Sequence, residues 1–256
     1  GVVKVYSGAD LKDVIAPLPC VHSIEDLKEP SHPAVSFEEV NYAGDAVAVV
    51  VAESAAQAED AAREVYVEYE SLPVVVDVVV AAADGSDLVH ADIGTNIAFT
   101  SVTDVGDVDA AFDGAGVVIN ERFVNQRQIP IAMEPRAVVA DFDVGYDKLT
   151  VWSSTQVPHF VRLLVAAVCG HPENKIRVVA PEVGGGFGSK LNFYAEEAIV
   201  AFLAKALRRP VKWNGRRTED MLATIHGRDQ VCDLSVAADD DGKLLAVRAT
   251  LYQDLG

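Results

Sequence analysis

The chain has 256 residues, with 21 Lys and Arg against 39 Asp and Glu and a formal charge of −18. At roughly 100 to 200 residues per domain this is one large domain or two smaller ones, and an apolar content of 50% excludes intrinsic disorder despite the charge. An acidic surface repels phosphate backbones and anionic lipid, which sets aside nucleic acid and membrane surfaces, and the longest apolar runs, such as 46–52, are strand-sized rather than the ~20 residues of a membrane helix.

Taken in chain order, residues 2–6 read as a strand and 45–52 as a buried strand. Ser54, with Gln57 three residues on, forms a capping box that opens an alanine-rich helix, and the alternation over 65–70 reads as a second strand. This predicts a strand, helix, strand unit. A short helix over 77–83 follows, and a domain boundary falls between about 85 and 120. The later region opens with a strand over 116–125 and a hairpin, 137–142 with 149–153, turning at 144–147. Pro158 suits the first turn of a helix that runs to Cys169 and stops at Gly170. A strand over 175–180, the glycine run, a helix over 193–207, a strand over 211–213 and a hairpin turning at 240–242 complete the chain. Strands and helices mix without strict alternation, which predicts an α+β fold.

The charge is unevenly distributed. Residues 1–120 hold 4 basic and 22 acidic residues, and the remainder holds 17 of each. That step marks two regions with different partners, the acidic one solvated or facing a basic subunit. The chain starts at Gly1 without a signal peptide, and the strand over 243–255 has no closing element after it, so both ends read as those of a segment of a longer chain. Cys20, Cys169 and Cys232 are far apart and form no CxxC pair, in keeping with a reducing, cytoplasmic compartment.

The most unusual stretch is 183–190, VGGGFGSK, between a strand and a helix. Four glycines in five positions remove nearly every Cβ, so backbone N–H groups can approach an anionic or oxo group directly. The P-loop pattern fails because Ser189 precedes Lys190 and Leu191 follows it, and the dinucleotide pattern fails because its third glycine falls on Ser189. A turn that merely permits close packing stays open as the alternative. At 153–156, SSTQ, a neutral amide at a strand end can serve an oxo group or a substrate, and helix capping is the competing role. In 133–136, MEPR, Glu134 and Arg136 could pair on alternate positions of an extended segment. The six histidines lack zinc spacing, the run 239–242 lacks a calcium loop's first and last ligands, and no nucleophile elbow is present.

Together, residues 40–50 (VNYAGDAVAVV), 106–112 (GDVDAAF), 133–136 (MEPR), 154–156 (STQ) and 184–190 (GGGFGSK) resemble, in order and spacing, the large subunit of the molybdenum hydroxylases. This is the aldehyde oxidase, xanthine dehydrogenase and aerobic carbon monoxide dehydrogenase family. The resemblance covers essentially the whole chain. It implies an α/β hammerhead domain over 1–90, incomplete at its start, followed by the first part of a molybdopterin-binding α+β domain over 91–256.

The resemblance also implies a molybdenum held by a pterin dithiolene rather than by side chains, in the cytosine dinucleotide form if the source is bacterial, with copper added in the carbon monoxide branch. Gln156 would donate its amide to the oxo ligand. Phe187 and the Gly188 N–H would line the other side of the metal, with Gly185 and Gly186 bringing the backbone to the cofactor. Electrons would leave through separate FAD and [2Fe-2S] subunits, whose motifs this chain lacks, and the large subunit would pair with a second copy. The family's proton-accepting glutamate and its substrate loop would lie beyond residue 256, so the segment alone would be inactive. Leu191 stands where purine-oxidising relatives have a glutamate, which points away from purines and leaves carbon monoxide, an aldehyde or an aromatic heterocycle. Two other classes remain: a non-catalytic binding or assembly module, and a nucleotide-binding protein that uses the glycine loop.

Overall fold

Strand pairing in the computed structural model, which describes residues 1–255, gives three small antiparallel or mixed sheets. In chain order the elements are β1 (Val2–Ser7), α1 (Gly8–Leu11), β2 (Ala48–Ala52), α2 (Ala55–Arg63), α3 (Val78–Ala81), α4 (Val108–Asp113), β3 (Val117–Asn125), β4 (Ala137–Asp143), β5 (Lys148–Ser153), α5 (Pro158–Cys169), β6 (Ile176–Val179), α6 (Ala195–Leu207), β7 (Val211–Asn214), α7 (Arg217–Ala223), β8 (Gln230–Ala238) and β9 (Leu244–Gln253). The α+β character is as expected. Most predicted elements are present within a few residues, and α1, α4 and α7 are additions.

Local chemistry accounts for the boundaries. The Ser54 side chain accepts from the Gln57 N–H at 3.3 Å and starts α2. Pro158 occupies the first turn of α5, and Gly170 ends it in the left-handed conformation with φ 57°, its N–H returning to the Ala166 carbonyl. The expected strand over 65–70 does not form. Its alternation is genuine, but a strand needs a neighbour to complete its ladder, and no described segment pairs with it; Tyr66 is 86% exposed. The strand, helix, strand unit is therefore replaced by β1 pairing antiparallel with β2.

The chain divides into two compact units, each assembled from separate segments: 1–21, 31–70 and 129–225 in the first, and 22–30, 71–128 and the chain from 226 in the second. The second is a three-stranded antiparallel sheet ordered β3-β8-β9, against which α3 and α4 pack.

The first unit carries the β1-β2 pair and a four-stranded sheet ordered β6-β5-β4-β7. Val138 and Ala140 of β4 and Leu149 and Val151 of β5 bury one face of that sheet against Val161 and Val165 of α5. Helix α6 is apolar on both sides. Val200, Ala201 and Ala204 join the sheet core, while Ala198, Ile199 and Leu203 face a second cluster containing Leu11, Ile15 and Val35. The feature that places the site is the pairing of β5 with β6, which is parallel, with α5 as the crossover and Trp152 opposite Val179. The segments that leave the two strands, 154–156 and 180–188, therefore emerge side by side at the carboxyl edge, where ligands of such sheets bind.

Candidate functional site

Three segments meet at that edge: the turn after β5, the glycine run after β6, and 133–136 just before β4. The turn and the run are joined through Lys190, whose carbonyl accepts from the Gln156 N–H at 2.9 Å and from the Thr155 hydroxyl at 3.2 Å. The Gln156 carboxamide oxygen accepts from the Gly188 N–H at 3.2 Å. With its oxygen so used, the Gln156 NH2 has no protein partner among the described residues and is the donor left for a ligand.

The glycines serve two separate needs. At Gly184 a Cβ would lie 2.6 Å from the Glu134 Cβ, which closes that position, and at Gly186 it would lie 2.5 Å from the Gln156 Cδ, so a side chain there displaces the Gln156 carboxamide. Gly185 and Gly188 are needed for conformation, with φ of 100° and 90°. Phe187 sits between them at φ 52°, an unusual value for a bulky residue, and its ring is 74% exposed rather than buried in the core. Alanine at Gly188 would touch nothing within 4 Å, so Gly188→Ala should cost only the strain of a left-handed backbone, about 1 kcal/mol. In that conformation the Gly188 N–H holds the Gln156 amide. In the full-length protein the variant should therefore lose bound cofactor far more than it loses melting temperature, and full cofactor content with a lowered melting temperature would return the glycine to a packing role.

Beneath the loop lies a charged cluster that spacing did not reveal. One carboxylate oxygen of Glu134, Oε2, accepts from the Gly184 N–H at 2.8 Å, the Ser154 hydroxyl at 2.7 Å and the Lys190 ammonium at 2.8 Å. Burial alone would raise the Glu134 carboxyl, but the hydrogen bonds from Lys190, Ser154 and Gly184 outweigh it and hold it below its usual range. The expected Glu134–Arg136 pair is absent. Arg136, 5% exposed, instead makes a two-pronged bond to Glu196 at 2.7 and 3.0 Å, bonds Asp220 at 3.2 Å, and stacks 3.9 Å from the Tyr194 ring. Glu197 accepts from the Ser153 hydroxyl at 2.6 Å and the Tyr194 N–H at 2.9 Å, and its burial pushes its carboxyl up to about 7. The void behind these groups measures only about 10 Å3, room for a single water, so the buried side is packed.

Comparison with known proteins gives the family. A family model described as the molybdopterin cofactor-binding domain matches residues 89–256, and one described as the aldehyde oxidase and xanthine dehydrogenase a/b hammerhead domain matches residues 1–73. The chain belongs to the molybdenum hydroxylase large-subunit family. Among its relatives, the nicotine 6-hydroxylase large subunit of Paenarthrobacter nicotinovorans is 33% identical over all of this chain and 31% of its own length. The carbon monoxide dehydrogenase large chain of Hydrogenophaga pseudoflava is also 33% identical, over all of this chain and 33% of its own. The crystal structure of quinoline 2-oxidoreductase from Pseudomonas putida 86 superposes with a TM-score of 0.92 at 34% identity, covering 98% of this chain and 32% of that one. The chain thus spans about a third of the length of the curated relatives it matches.

The residues present fit the family's cofactor. A pterin-held metal needs neutral donors and open backbone from the protein rather than ligating side chains. The edge offers a free carboxamide NH2 beside a loop bare of side chains at 184–186 and 188, where a Cβ at Gly184 or Gly186 would crowd Glu134 or Gln156. Among the described residues no group of three or more His, Cys, Asp or Glu is placed to hold a metal. The structure brings Gln156, Gly186 and Gly188 together. The Gly188 N–H, expected to line the metal, donates to Gln156 and so orients the carboxamide.

Proposed function

We propose that the full-length protein is the catalytic subunit of a molybdenum hydroxylase that oxidises an aldehyde, an aromatic N-heterocycle or carbon monoxide with a water-derived oxygen. The observation that carries this reading is the Gln156 carboxamide, its oxygen anchored by Gly188 and its NH2 left free, set against the stripped glycine loop at the ends of β5 and β6. Molybdopterin, when bound, supplies two-electron redox chemistry at molybdenum. The chain's own contribution is positional. Gln156 offers a neutral donor that cannot change charge during turnover, and Gly185 and Gly186 let the backbone close on the cofactor. Phe187 excludes water from the same face with an exposed ring, and Leu191, half exposed directly after Lys190, presents an apolar group where purine-oxidising relatives carry a glutamate. The hammerhead domain is assigned to 1–90 and the molybdopterin-binding domain to 91–256.

In the same reading the cofactor is the cytosine dinucleotide form, and copper joins it only if carbon monoxide is the substrate. Electrons pass to an FAD subunit and a [2Fe-2S] subunit, the large subunit pairs with a second copy, and the assembly works in the cytoplasm. Relatives named for nicotine and quinoline support an N-heterocycle as the first substrate class to assay. No described helix is long and apolar enough to cross a membrane.

The test is growth of the producing host on molybdate or on tungstate, followed by substrate-dependent dye reduction by the purified complex. Activity only from the molybdate culture is expected. Equal activity from both cultures would contradict a molybdenum enzyme, no activity from either would favour the binding-module reading, and tight ATP binding in place of any pterin would favour the nucleotide reading.

A further inference from the structure

Lysine is rarely buried completely without a partner, yet the Lys190 side chain is 1% exposed. Its ammonium donates to Glu134 at 2.8 Å and to the Ser154 hydroxyl at 2.7 Å, and Ser154 in turn donates to the same Glu134 oxygen at 2.7 Å. The three residues close a ring. Each comes from a different segment of the site: Glu134 from the approach to β4, Ser154 from the turn that carries Gln156, Lys190 from the end of the glycine loop. The main chain repeats the connection, since the Lys190 carbonyl receives the Gln156 N–H and the Glu134 N–H donates to the Gly184 carbonyl at 3.1 Å. The loop is thus tied at both ends, at Gly184 and at Lys190, to one carboxylate.

The Glu134 side chain is 37% exposed, so the pair is buried on its Lys190 side, and such a pair is weak evidence for stability, because an apolar replacement of similar volume often serves as well. What an apolar trio could not do is fix distances, since dispersion contacts are not directional and hydrogen bonds are. Resting on the cofactor reading above, we infer that Lys190, with Glu134 and Ser154, is a positioning residue: the ring fixes the turn that carries Gln156 against the Phe187–Gly188 backbone, and so sets where the free Gln156 NH2 faces the cofactor.

The test uses the full-length subunit with its partners, reading molybdenum and pterin per chain, melting temperature, and hydrogen exchange of peptides spanning 152–157 and 183–191. Lys190→Met and Glu134→Gln should each lower cofactor content by roughly 10- to 100-fold, as loss of supporting contacts around metal sites does, and should speed exchange in both peptides. The double variant Lys190→Met with Glu134→Gln leaves no uncompensated charge, so its melting temperature should return toward the parent's while cofactor content and exchange protection stay low. Recovery of cofactor and protection along with the melting temperature would make the ring a structural ion pair only and overturn the inference. Ser154→Ala changes no charge and keeps the question decidable if the single charge variants are insoluble; unchanged cofactor content in it would likewise overturn the inference. A parent complex without molybdenum would instead sink the function reading itself, before any variant is compared.

Discussion

Gly186→Ala is expected to lower turnover of the full-length enzyme about 10²- to 10³-fold, the scale at which removing one preorganised donor acts, and to do so without unfolding the protein. A Cβ at Gly186 would lie 2.5 Å from the Gln156 Cδ and 2.8 Å from its Cγ. The group in the way is the end of an exposed side chain, which can swing aside at little cost, and the Gly186 backbone is not among those held at positive φ. The damage therefore falls on the orientation of the carboxamide. Gln156→Ala should reproduce the same loss, and combining the two should add almost nothing, because both remove one donor. Losses that multiply in the double variant, or Gln156→Ala activity within a factor of two of the parent, would return Gln156 to the neighbourhood of helix capping.

The second large effect is on pH dependence. Glu197 sits at the start of α6 beneath the site, and burial, only partly offset by the Ser153 and Tyr194 hydrogen bonds and by Arg136, lifts its carboxyl from the ordinary 4.5 to about 7. A carboxyl raised in the folded state favours folding while it is protonated. Its contribution is complete below pH 4.5 and is lost as pH rises through 7, an upper bound of about 3 kcal/mol by linkage. Glu197→Gln keeps an acceptor for the Tyr194 N–H, turns an NH2 donor toward the Ser153 hydroxyl, whose oxygen can accept in place of donating, and cannot ionise. The parent should thus lose stability relative to Glu197→Gln between pH 5 and 8 in chemical denaturation, and parallel pH profiles for the two would contradict the assignment.

How far the sequence disclosed this site depends on what each residue needs around it. Helix α5 was legible because Pro158 and Gly170 act on their own backbone, where no distant partner is required. The glycine run was legible as a loop with backbone laid bare, but not the separate reasons for its members, since close approach at Gly186 depends on Gln156 thirty residues away in sequence. The segment 65–70 shows the limit from the other side. Its alternation is a statement about one chain, whereas a strand is a statement about two, and no described neighbour pairs with it. Glu134 and Arg136 are adjacent enough to suggest each other, yet one bonds Lys190 and the other Glu196 and Asp220, all more than fifty residues on. Lys190 was the hardest to read, because nothing in a loop lysine announces that its ammonium is buried; only the meeting of three segments does.

The most direct test of the central claim is elemental analysis for molybdenum, with pterin fluorescence on the same sample, of the full-length subunit purified from a molybdate-replete host with intact cofactor synthesis. About one molybdenum and one pterin per chain is the expected result, falling together in Gly186→Ala if the loop grips the cofactor. A folded, molybdenum-free and pterin-free protein would contradict the account.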